Sequence, residues 1–326
     1  PTGGNTHLEY YFAPMEGVTG ALYRRIHHKY FPGVDAYYMP FLTPTRDRVF
    51  TPRDLRETAP EHNQGFRAVP QLLTRDGGDF CWAANALFDM GYDEVNLNLG
   101  CPSGTVVAKG KGAGLLSDLS ALEELLDGIF AGVQGPVSVK TRLGLESPEE
   151  FGPLLELLSR YPISLLIVHP RVRKDFYKEP VRRKEFSLAH RDYPGLLCYN
   201  GGLFTPEDCE ALLRDYPRVQ SLMLGQGLLR NPALIRQAKG GPPLTVEELR
   251  AFHDELYHSY LEAFRSGRNT IFHMKELWSY LGTLFEGSEK LLKQIRKAQD
   301  TAHYEGAVEQ IFRTLPIRCT PADSGV

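Results

Sequence analysis

The sequence predicts an α/β protein: a (β/α)8 TIM barrel followed by a small all-helical C-terminal domain. Short apolar segments alternate with amphipathic segments eight times, at intervals of roughly 25–40 residues, as in a parallel sheet with crossover helices. The alternation ends near residue 240, close to the length of about 250 residues that is typical of such barrels. The residues beyond it show helical patterns only. A doubly wound open sheet is the alternative, but no GxGxxG motif follows the first predicted strand.

Eight segments have the length and apolar composition of buried strands. They are Tyr10–Met15, Ala36–Leu42, Ala68–Leu73, Glu94–Leu99, Val137–Arg142, Leu165–His169, Leu196–Asn200 and Ser221–Leu224. Amphipathic stretches between them predict helices, two of which begin with a proline after Ser147 and Thr205. Examples of these helices are Asp79–Met90, Leu119–Val133, Pro148–Arg160 and Pro206–Asp215.

The segment Gly240-Gly241-Pro242-Pro243 interrupts the alternation. Helical patterns follow it over Val246–Arg265, Thr270–Phe285 and Ser288–Ala302. We therefore expect a barrel domain over residues 1–240 and an all-helical domain over residues 241–326.

The composition restricts the class of protein. The chain has 326 residues, 42% of them hydrophobic and 24% charged, which suffices for one large core and a small second domain. No apolar run of about 18 residues occurs, so we expect no membrane span, and the N-terminal segment has no secretory pattern. We expect a cytoplasmic monomer.

Five cysteines are present, an odd number, and no two of them form a CxxC pair. This spacing argues against a zinc site or an iron–sulfur cluster, so we expect no metal. Free thiols fit a reducing cytosol. The cysteines are Cys81, Cys101, Cys198, Cys209 and Cys319.

Active sites of (β/α)8 barrels form at the C-terminal ends of the strands, and this rule selects candidate residues. Polar side chains and glycines gather where the predicted strands end. Glycine motifs follow the seventh and eighth strands, where barrels often bind phosphate with main-chain N–H groups. The segments at the strand ends are Ala13-Pro14-Met15-Glu16-Gly17, Gln71, Asn96 to Pro102, Lys140-Thr141-Arg142, His169-Pro170-Arg171, Asn200-Gly201-Gly202 and Gly225-Gln226-Gly227.

Lys140 and His169 end neighbouring strands and can hold negative charge on a bound ring. The alternatives are a Lys140 paired with a carboxylate and a purely structural His169. Cys101 lies just beyond the fourth strand, between Gly100 and Pro102, where a loop brings it to the barrel mouth. A thiol there either donates a proton as a general acid or attacks as a thiolate, and the sequence leaves both roles open.

Two basic clusters stand out against a net charge of −3, and each of them is either an RNA-binding surface or a solvated face. The first places seven positive charges in fourteen residues. Its members are Arg171, Arg173, Lys174, Lys178, Arg182, Arg183 and Lys184, and the second cluster consists of Lys290, Lys293, Arg296 and Lys297.

Several of these segments, in this order, resemble the dihydrouridine synthase family. The resemblance covers about residues 8–300. It is carried by Ala13-Pro14-Met15-Glu16-Gly17-Val18-Thr19, Asn96-Leu97-Asn98-Leu99-Gly100-Cys101-Pro102, Lys109-Gly110-Lys111-Gly112-Ala113-Gly114, Val139-Lys140-Thr141-Arg142-Leu143-Gly144, Val168-His169, Asn200-Gly201-Gly202 and the helical segment from Phe272 to Leu281.

The resemblance implies that FMN is the cofactor, NADPH the electron donor and a uridine of tRNA the substrate. It implies that Cys101 protonates C5 of the uracil and that Asn98 and Arg142 bind the uracil edge. Residues Lys109, Lys111 and Arg171 would contact the RNA. The cofactor would lie against Pro14, Met15, Gln71, Lys140, His169, Asn200, Gly201, Gly202, Gly225 and Gln226.

The sequence departs from the family pattern at Gln226, where an arginine is expected, and at Pro170, where a small residue is expected. Glutamine lacks the charged fork that binds phosphate, which puts the flavin affinity in question. Two other functions stay open: an FMN-barrel reductase of a small pyrimidine or enone, and a non-catalytic RNA-binding protein.

Overall fold

A computed structural model describes residues 8–177 and 179–318, so Lys178 and Cys319 lie outside the described residues. One parallel sheet forms the centre of the molecule. Its strands are β1 (Glu9–Phe12), β2 (Ala36–Tyr38), β3 (Ala68–Val69), β4 (Gln71–Leu72), β5 (Val95–Leu99), β6 (Val137–Gly144), β7 (Leu166–Val172), β8 (Leu197–Asn200) and β9 (Ser221–Leu224).

The strand order, β3-β2-β1-β9-β8-β7-β6-β5-β4, shows that the sheet closes into a barrel. Its two ends, β3 and β4, are separated by Pro70 alone, which has no N–H to offer the ladder. The Pro70 carbonyl still accepts from the Asn96 main-chain N–H at 2.8 Å. The prediction of a (β/α)8 barrel is therefore confirmed, with the third predicted strand split in two at its proline.

Helices follow the strands and cover the outside of the barrel. The predicted helix Pro148–Arg160 begins as a 3-10 turn, Pro148–Glu150, because Glu150 folds back to cap the Ser147 main chain. The helices up to residue 240 are α1 (Ala21–Tyr30), α2 (Pro52–Thr58), α3 (Gly77–Asp89), α4 (Gly104–Val107), α5 (Leu119–Gly132), α6 (Phe151–Leu158), α7 (Arg183–Asp192), α8 (Pro206–Asp215), α9 (Gln226–Arg230) and α10 (Leu234–Ala238).

Four further helices follow the Gly240 turn: α11 (Val246–Phe264), α12 (Gly267–Leu281), α13 (Glu289–Lys297) and α14 (Thr301–Thr314). The predicted helix Ser288–Ala302 was wrong at its C-terminal end. The chain breaks there because Asp300 caps a new helix, accepting from the His303 main-chain N–H at 2.9 Å. None of the described helices has the length and apolar composition needed to cross a bilayer.

The helical tail packs directly on the barrel. Phe252 of α11 contacts Phe31, which directly follows α1, and Tyr23 of α1, with ring centroids 5.2 and 5.8 Å apart. On α12, His273 Nδ1 lies 3.3 Å from the Gly17 carbonyl, in the loop after β1. Helix α12 therefore lies beside the mouth of the barrel, where the strands end.

A buried arginine holds the loop after β1 in place. Arg24 is fully buried, and its guanidinium donates to the Thr19 carbonyl at 2.9 Å, to the Glu57 carboxylate at 3.2 Å and to Asn63 Oδ1 at 2.9 Å. Glu57 also accepts from the Ala21 main-chain N–H at 2.8 Å. Helices α1 and α2 and the β1 loop thus share one charged centre, which fixes the loop that borders the barrel mouth.

We expect Arg24→Leu to lower the free energy of unfolding by about 3 kcal/mol, because Glu57 and Asn63 would lose a buried partner. Denaturant unfolding measures the loss. Arg25→Leu is the matched control: Arg25 is exposed on the same helix, and its replacement should change the free energy by less than about 0.5 kcal/mol. Equal effects of the two variants would contradict the role of Arg24.

Candidate active site at the barrel mouth

A cleft opens at the C-terminal ends of β1 and β6 to β9 and holds about 500 Å³ of empty space, including the part open to solvent. Nine of the ten residues predicted to bind the cofactor line this cleft, and the tenth, Gln71, is buried behind it. The nine are Pro14, Met15, Lys140, His169, Asn200, Gly201, Gly202, Gly225 and Gln226.

Two glycines form one wall of the cleft, where neighbouring side chains leave no room for a Cβ. Gly201 and Gly202 both adopt positive φ, +123° and +64°. A Cβ on Gly201 would lie 2.7 Å from His169 Cδ2, and one on Gly202 would lie 2.3 Å from Val181 Cγ2. The main chain is thus exposed to a ligand at close range, as phosphate binding requires.

Positive charge accumulates at the base of the cleft without acidic partners. Burial, together with the charge of Arg142, lowers the pKa of Lys140 to about 8. Burial and the charges of Arg142 and Lys140 hold the pKa of His169 well below its usual value, so this histidine is neutral. Within residues 8–177 and 179–318, neither Lys140 nor Arg142 forms an ion pair with a carboxylate, so the alternative of a Lys140–carboxylate pair is not observed. The cluster suits a ligand that carries negative charge.

A chain of amide hydrogen bonds runs across the barrel to the cysteine loop. Asn96 donates to Ser138 Oγ, Gln71 donates to Asn96, and Asn98 donates to Gln71, each at 2.8 Å. Asn98 Oδ1 then accepts from the Cys101 main-chain N–H at 2.9 Å. The side-chain oxygen and nitrogen of both Asn98 and Gln71 therefore have hydrogen-bond partners within the protein. In this structure they position the Cys101 loop, a role that the sequence did not indicate.

Arg142 ties the cysteine loop to the loop after β7. Its Nε donates to the Gly100 carbonyl at 2.9 Å, and one terminal nitrogen donates to the carbonyls of Val172 and Phe176, each at 3.2 Å. The guanidinium is almost fully buried. A single cation thus sets the relative position of the two loops that border the mouth.

Cys101 is half-buried beside these cations. Its carbonyl accepts from the Ala113 N–H at 3.1 Å, and Gly112, at φ +54°, packs so closely that a Cβ would lie 3.0 Å from Cys101 Cβ. Burial raises the pKa of the thiol, while a main-chain hydrogen bond from Ser103 and the charge of Arg142 oppose that rise. The thiol is therefore protonated at neutral pH, which favours a proton donor over a thiolate nucleophile.

The other described cysteines are structural. Cys198 and Cys209 are buried, and burial raises the pKa of each to about 12. Cys81, partly buried on α3, lies 3.4 Å from the Gly128 carbonyl. Cys101 is therefore the reactive candidate among the four described thiols.

The four arginines of the basic cluster after β7 all have partners within the protein. Arg182 forms a two-point ion pair with buried Asp175, with both N–O distances at 3.0 Å. Arg183 and Arg173 donate to the main-chain carbonyls of Gly202 and Pro102. Arg171 donates to the main-chain carbonyl of Glu179 and also lines the cleft. These arginines brace the loop over the mouth, and Lys184 is exposed to solvent.

Tyr177, which sequence reasoning missed, lies in that loop and lines the cleft. Its ring lies 5.4 Å from the Arg142 guanidinium, 5.7 Å from that of Arg171 and 6.0 Å from the His169 ring. It is 39% exposed. An aromatic residue inside a basic run was the available signal, since such pairs often contact unpaired bases.

A second group of cations borders the cysteine loop. Lys109 is exposed. Burial lowers the pKa of Lys111, and the neighbouring charges of Lys109 and Arg75 lower it further. Arg75, which comes from the loop after β4, was not predicted. The α13 cluster is also exposed, on the side opposite buried Leu291 and Ile295.

Comparison with known proteins assigns the chain to a family. The family model described as "Dihydrouridine synthase (Dus)" matches residues 11–315. The chain belongs to the dihydrouridine synthase family. The resemblance inferred from the motifs is confirmed by this match.

Curated relatives in this family match the chain over most of their own length. The tRNA-dihydrouridine(16) synthase of Pseudomonas putida is 27% identical over 304 residues, covering 89% of this chain and 93% of its own. The tRNA-dihydrouridine synthase B of Proteus vulgaris is 25% identical over 312 residues, covering 93% and 95%. The tRNA-dihydrouridine(16) synthase of Aquipseudomonas alcaligenes is 30% identical over 234 residues, covering 69% and 73%.

Among solved structures, a mutant of morphinone reductase in complex with tetrahydroNAD shares the fold at a TM-score of 0.51. The two chains are 13% identical, and the match covers 71% of this chain and 86% of the other. At this identity the likeness supports the barrel architecture alone.

We expect the alkylation rate of Cys101 by iodoacetamide to keep increasing as the pH rises past the pKa of a free cysteine, because burial raises the pKa of this thiol. Mass spectrometry of the Cys101 peptide at a series of pH values measures the rate, with a cysteine-containing peptide as the reference. A rate that levels off below about pH 8.5, the free-thiol pKa, would show a thiolate instead and contradict the raised pKa.

Proposed function

We propose that this protein reduces the C5=C6 bond of a uridine in tRNA to 5,6-dihydrouridine, with FMN as cofactor and NADPH as reductant. The observation that carries the proposal is the protonated Cys101 beside Lys140 and Arg142, cations without carboxylate partners among the described residues. Membership of the dihydrouridine synthase family and the tRNA-dihydrouridine synthase names of its relatives support the substrate.

The residues of the cleft fit a flavin nucleotide. The wall formed by Gly201 and Gly202 leaves main chain exposed to a phosphate, and Gly225 is equally confined, since a Cβ there would lie 3.1 Å from Met15 Sδ. Lys140 would hold the polar edge of the ring, where negative charge develops on reduction. The neutral His169 would offer this edge one hydrogen bond without repelling Lys140. When bound and reduced, FMN supplies a hydride.

The chain's own groups complete the reaction. Hydride addition at C6 of the uracil leaves an enolate-like charge spread over C5 and the C4 carbonyl oxygen. Cys101 donates its proton to C5, and the resulting thiolate takes up a proton from solvent. Arg142 and Lys140 stabilise both the enolate charge and the thiolate, since both cations lower the pKa of Cys101. Asn98 keeps the cysteine loop in place for this transfer.

A uridine in a folded RNA must leave its base stack to reach the barrel mouth. The Tyr177 ring, at the rim of the cleft, provides a surface for the extruded base. Lys109, Lys111 and Arg75 lie beside the cysteine loop and would bind flanking phosphates. The exposed cations of α13 make the helical region, residues 241–326, a second contact with the RNA. Free thiols among the described residues fit action in the cytoplasm. The protein is proposed to act there as a monomer.

We expect the purified protein to be yellow, with FMN bound non-covalently in the cleft. An absorbance spectrum and chromatography of the released flavin test this. Gln226 is the first residue of α9 and lines the cleft, so Gln226→Arg should tighten the flavin by adding a charged donor for the phosphate. A colourless protein that takes up no added FMN would refute the proposal.

We expect Cys101→Ala to keep FMN and to oxidise NADPH, but to form dihydrouridine about 10²–10⁴-fold more slowly, the usual contribution of a general acid. Dihydrouridine in tRNA, measured by mass spectrometry of nucleosides, gives the rate. Cys81→Ala is the control and should retain activity. If free uridine is reduced as fast as tRNA by the parent, the protein is a small-molecule reductase instead.

A further inference from the structure

A second cleft lies on the other side of the loop after β1. Met15 of this loop lines the cofactor cleft, whereas Glu16 and Gly17 line the second one, whose far wall is formed by α11 and α12. The second cleft holds about 1890 Å³ of empty space, including the part open to solvent, against about 500 Å³ for the first. It is therefore the larger of the two clefts, and its size suits a ligand as large as a nucleotide.

Three nearly parallel rings from the helical tail line this groove: Tyr260, Phe264 and His273. Phe264 and His273 have ring centroids 4.7 Å apart at an interplanar angle of 22°, and Tyr260 and Phe264 lie 5.3 Å apart at 7°. Phe264 and His273 are only partly buried. Such rings bind unpaired bases by stacking, with little dependence on sequence.

The charges of the groove leave a positive surplus. Its two carboxylates are already paired, Glu16 with Arg53 at 2.7 Å and Glu57 with buried Arg24 at 3.2 Å. Arg25 and Arg56 also line the groove, and neither has an ion-pair or hydrogen-bond partner for its guanidinium within the described part of the chain. Both are exposed. Two unpaired guanidinium groups beside stacked rings match a base attached to a phosphate.

A hydrogen-bonding group lies next to the rings. Asn269, exposed at the start of α12, lines the groove, and its main-chain N–H donates to Ser266 Oγ. Its side-chain amide has no hydrogen-bond partner among residues 8–177 and 179–318. A carboxamide offers a donor and an acceptor together, as a base edge requires.

We propose that this second groove, lined by Phe264, His273, Arg25 and Arg56, binds an unstacked nucleotide of the same RNA whose uridine enters the first cleft. The proposal rests on the proposed function, because it takes RNA as the substrate. The two exposed arginines beside the rings favour a nucleotide within a polyanionic chain, whose neighbouring phosphates add contacts, over an isolated dinucleotide. The nucleotide in the groove and the target uridine lie on opposite sides of the β1 loop.

Two anchored nucleotides would set the register of the RNA. The backbone between them must pass over the β1 loop, which Arg24 holds rigidly through the Thr19 carbonyl. A uridine therefore reaches Cys101 only when a neighbouring unpaired nucleotide reaches the groove at the same time. The groove thus selects among uridines by what lies beside them in the RNA.

The test uses the full-length protein with Arg25→Gln and Arg56→Gln combined. Binding of tRNA is measured over a series of salt concentrations, together with kcat and KM for dihydrouridine formation. The affinity should fall, and the salt slope should flatten by roughly 0.7–1.8, since each lost phosphate contact removes about 0.7–0.9. KM for tRNA should rise more than kcat falls. Flavin content, measured in parallel, reports folding.

A matched control removes the same charge elsewhere. Arg160, which follows α6, and Arg214 of α8 are exposed, lie in the barrel part of the chain and line neither cleft. Arg160→Gln combined with Arg214→Gln should leave the affinity and the salt slope unchanged. Ultraviolet cross-linking of the parent protein to tRNA, followed by peptide sequencing, should place adducts on Phe264 or His273.

Other outcomes overturn the proposal. Unchanged RNA affinity and salt slope, with no adducts in the groove, would exclude a nucleotide site. A raised KM for NADPH with unchanged RNA affinity would assign the groove to the reductant. If instead the parent binds tRNA through the groove but forms no dihydrouridine, the proposed reaction fails while the binding site stands.

Discussion

The site depends on burying two cations together. Lys140 and Arg142 lie at the base of the barrel mouth, and burial lowers the pKa of both. Like charges in a region of low dielectric repel each other and lose hydration, and no carboxylate within the described residues compensates Lys140. Such an arrangement lowers stability unless a ligand supplies the missing negative charge. An anionic group bound beside these cations would therefore recover part of the free energy that their repulsion costs.

The surrounding structure keeps this costly arrangement rigid. Arg142 is held by three main-chain carbonyls, and Asn98 closes an amide chain that reaches back to Ser138 in the neighbouring strand. In that chain each amide accepts at its oxygen and donates from its nitrogen, so turning one of them would break two bonds at once. Cys101 therefore has a defined position before any substrate arrives, which is what a proton donor needs.

The barrel was predictable because it rests on local periodicity. Apolar strand segments and capped helices are properties of consecutive residues, and even the split at Pro70 follows from a missing N–H. Nine of the ten cofactor-binding candidates line one cleft because strand ends converge in this fold. The end of α13 was missed because Asp300 acts as a cap, a role that periodicity does not show.

What the sequence could not show is pairing between distant segments. Asn98 was predicted to bind the base, and its hydrogen bonds to β4 and to its own loop add a positioning role that the sequence did not show. The arginines after β7 were predicted together as one cluster, whereas Arg182 pairs with Asp175 and Arg183 donates to a carbonyl after β8. Tyr177 and the second groove depend on which loops meet at the mouth. Side-chain partners across a barrel are set by the closed fold, and a linear pattern does not contain them.

The ring contacts between α11 and α1 have a consequence for how this protein can change over time. Phe252 completes the aromatic cluster of Tyr23 and Phe31, so the hydrophobic core runs continuously from the barrel into the tail. A shared core couples the unfolding of both parts. The tail therefore cannot be exchanged between relatives as an independent module. Changes in the tail must instead arise by substitution at the exposed faces of its helices, with the buried rings left intact.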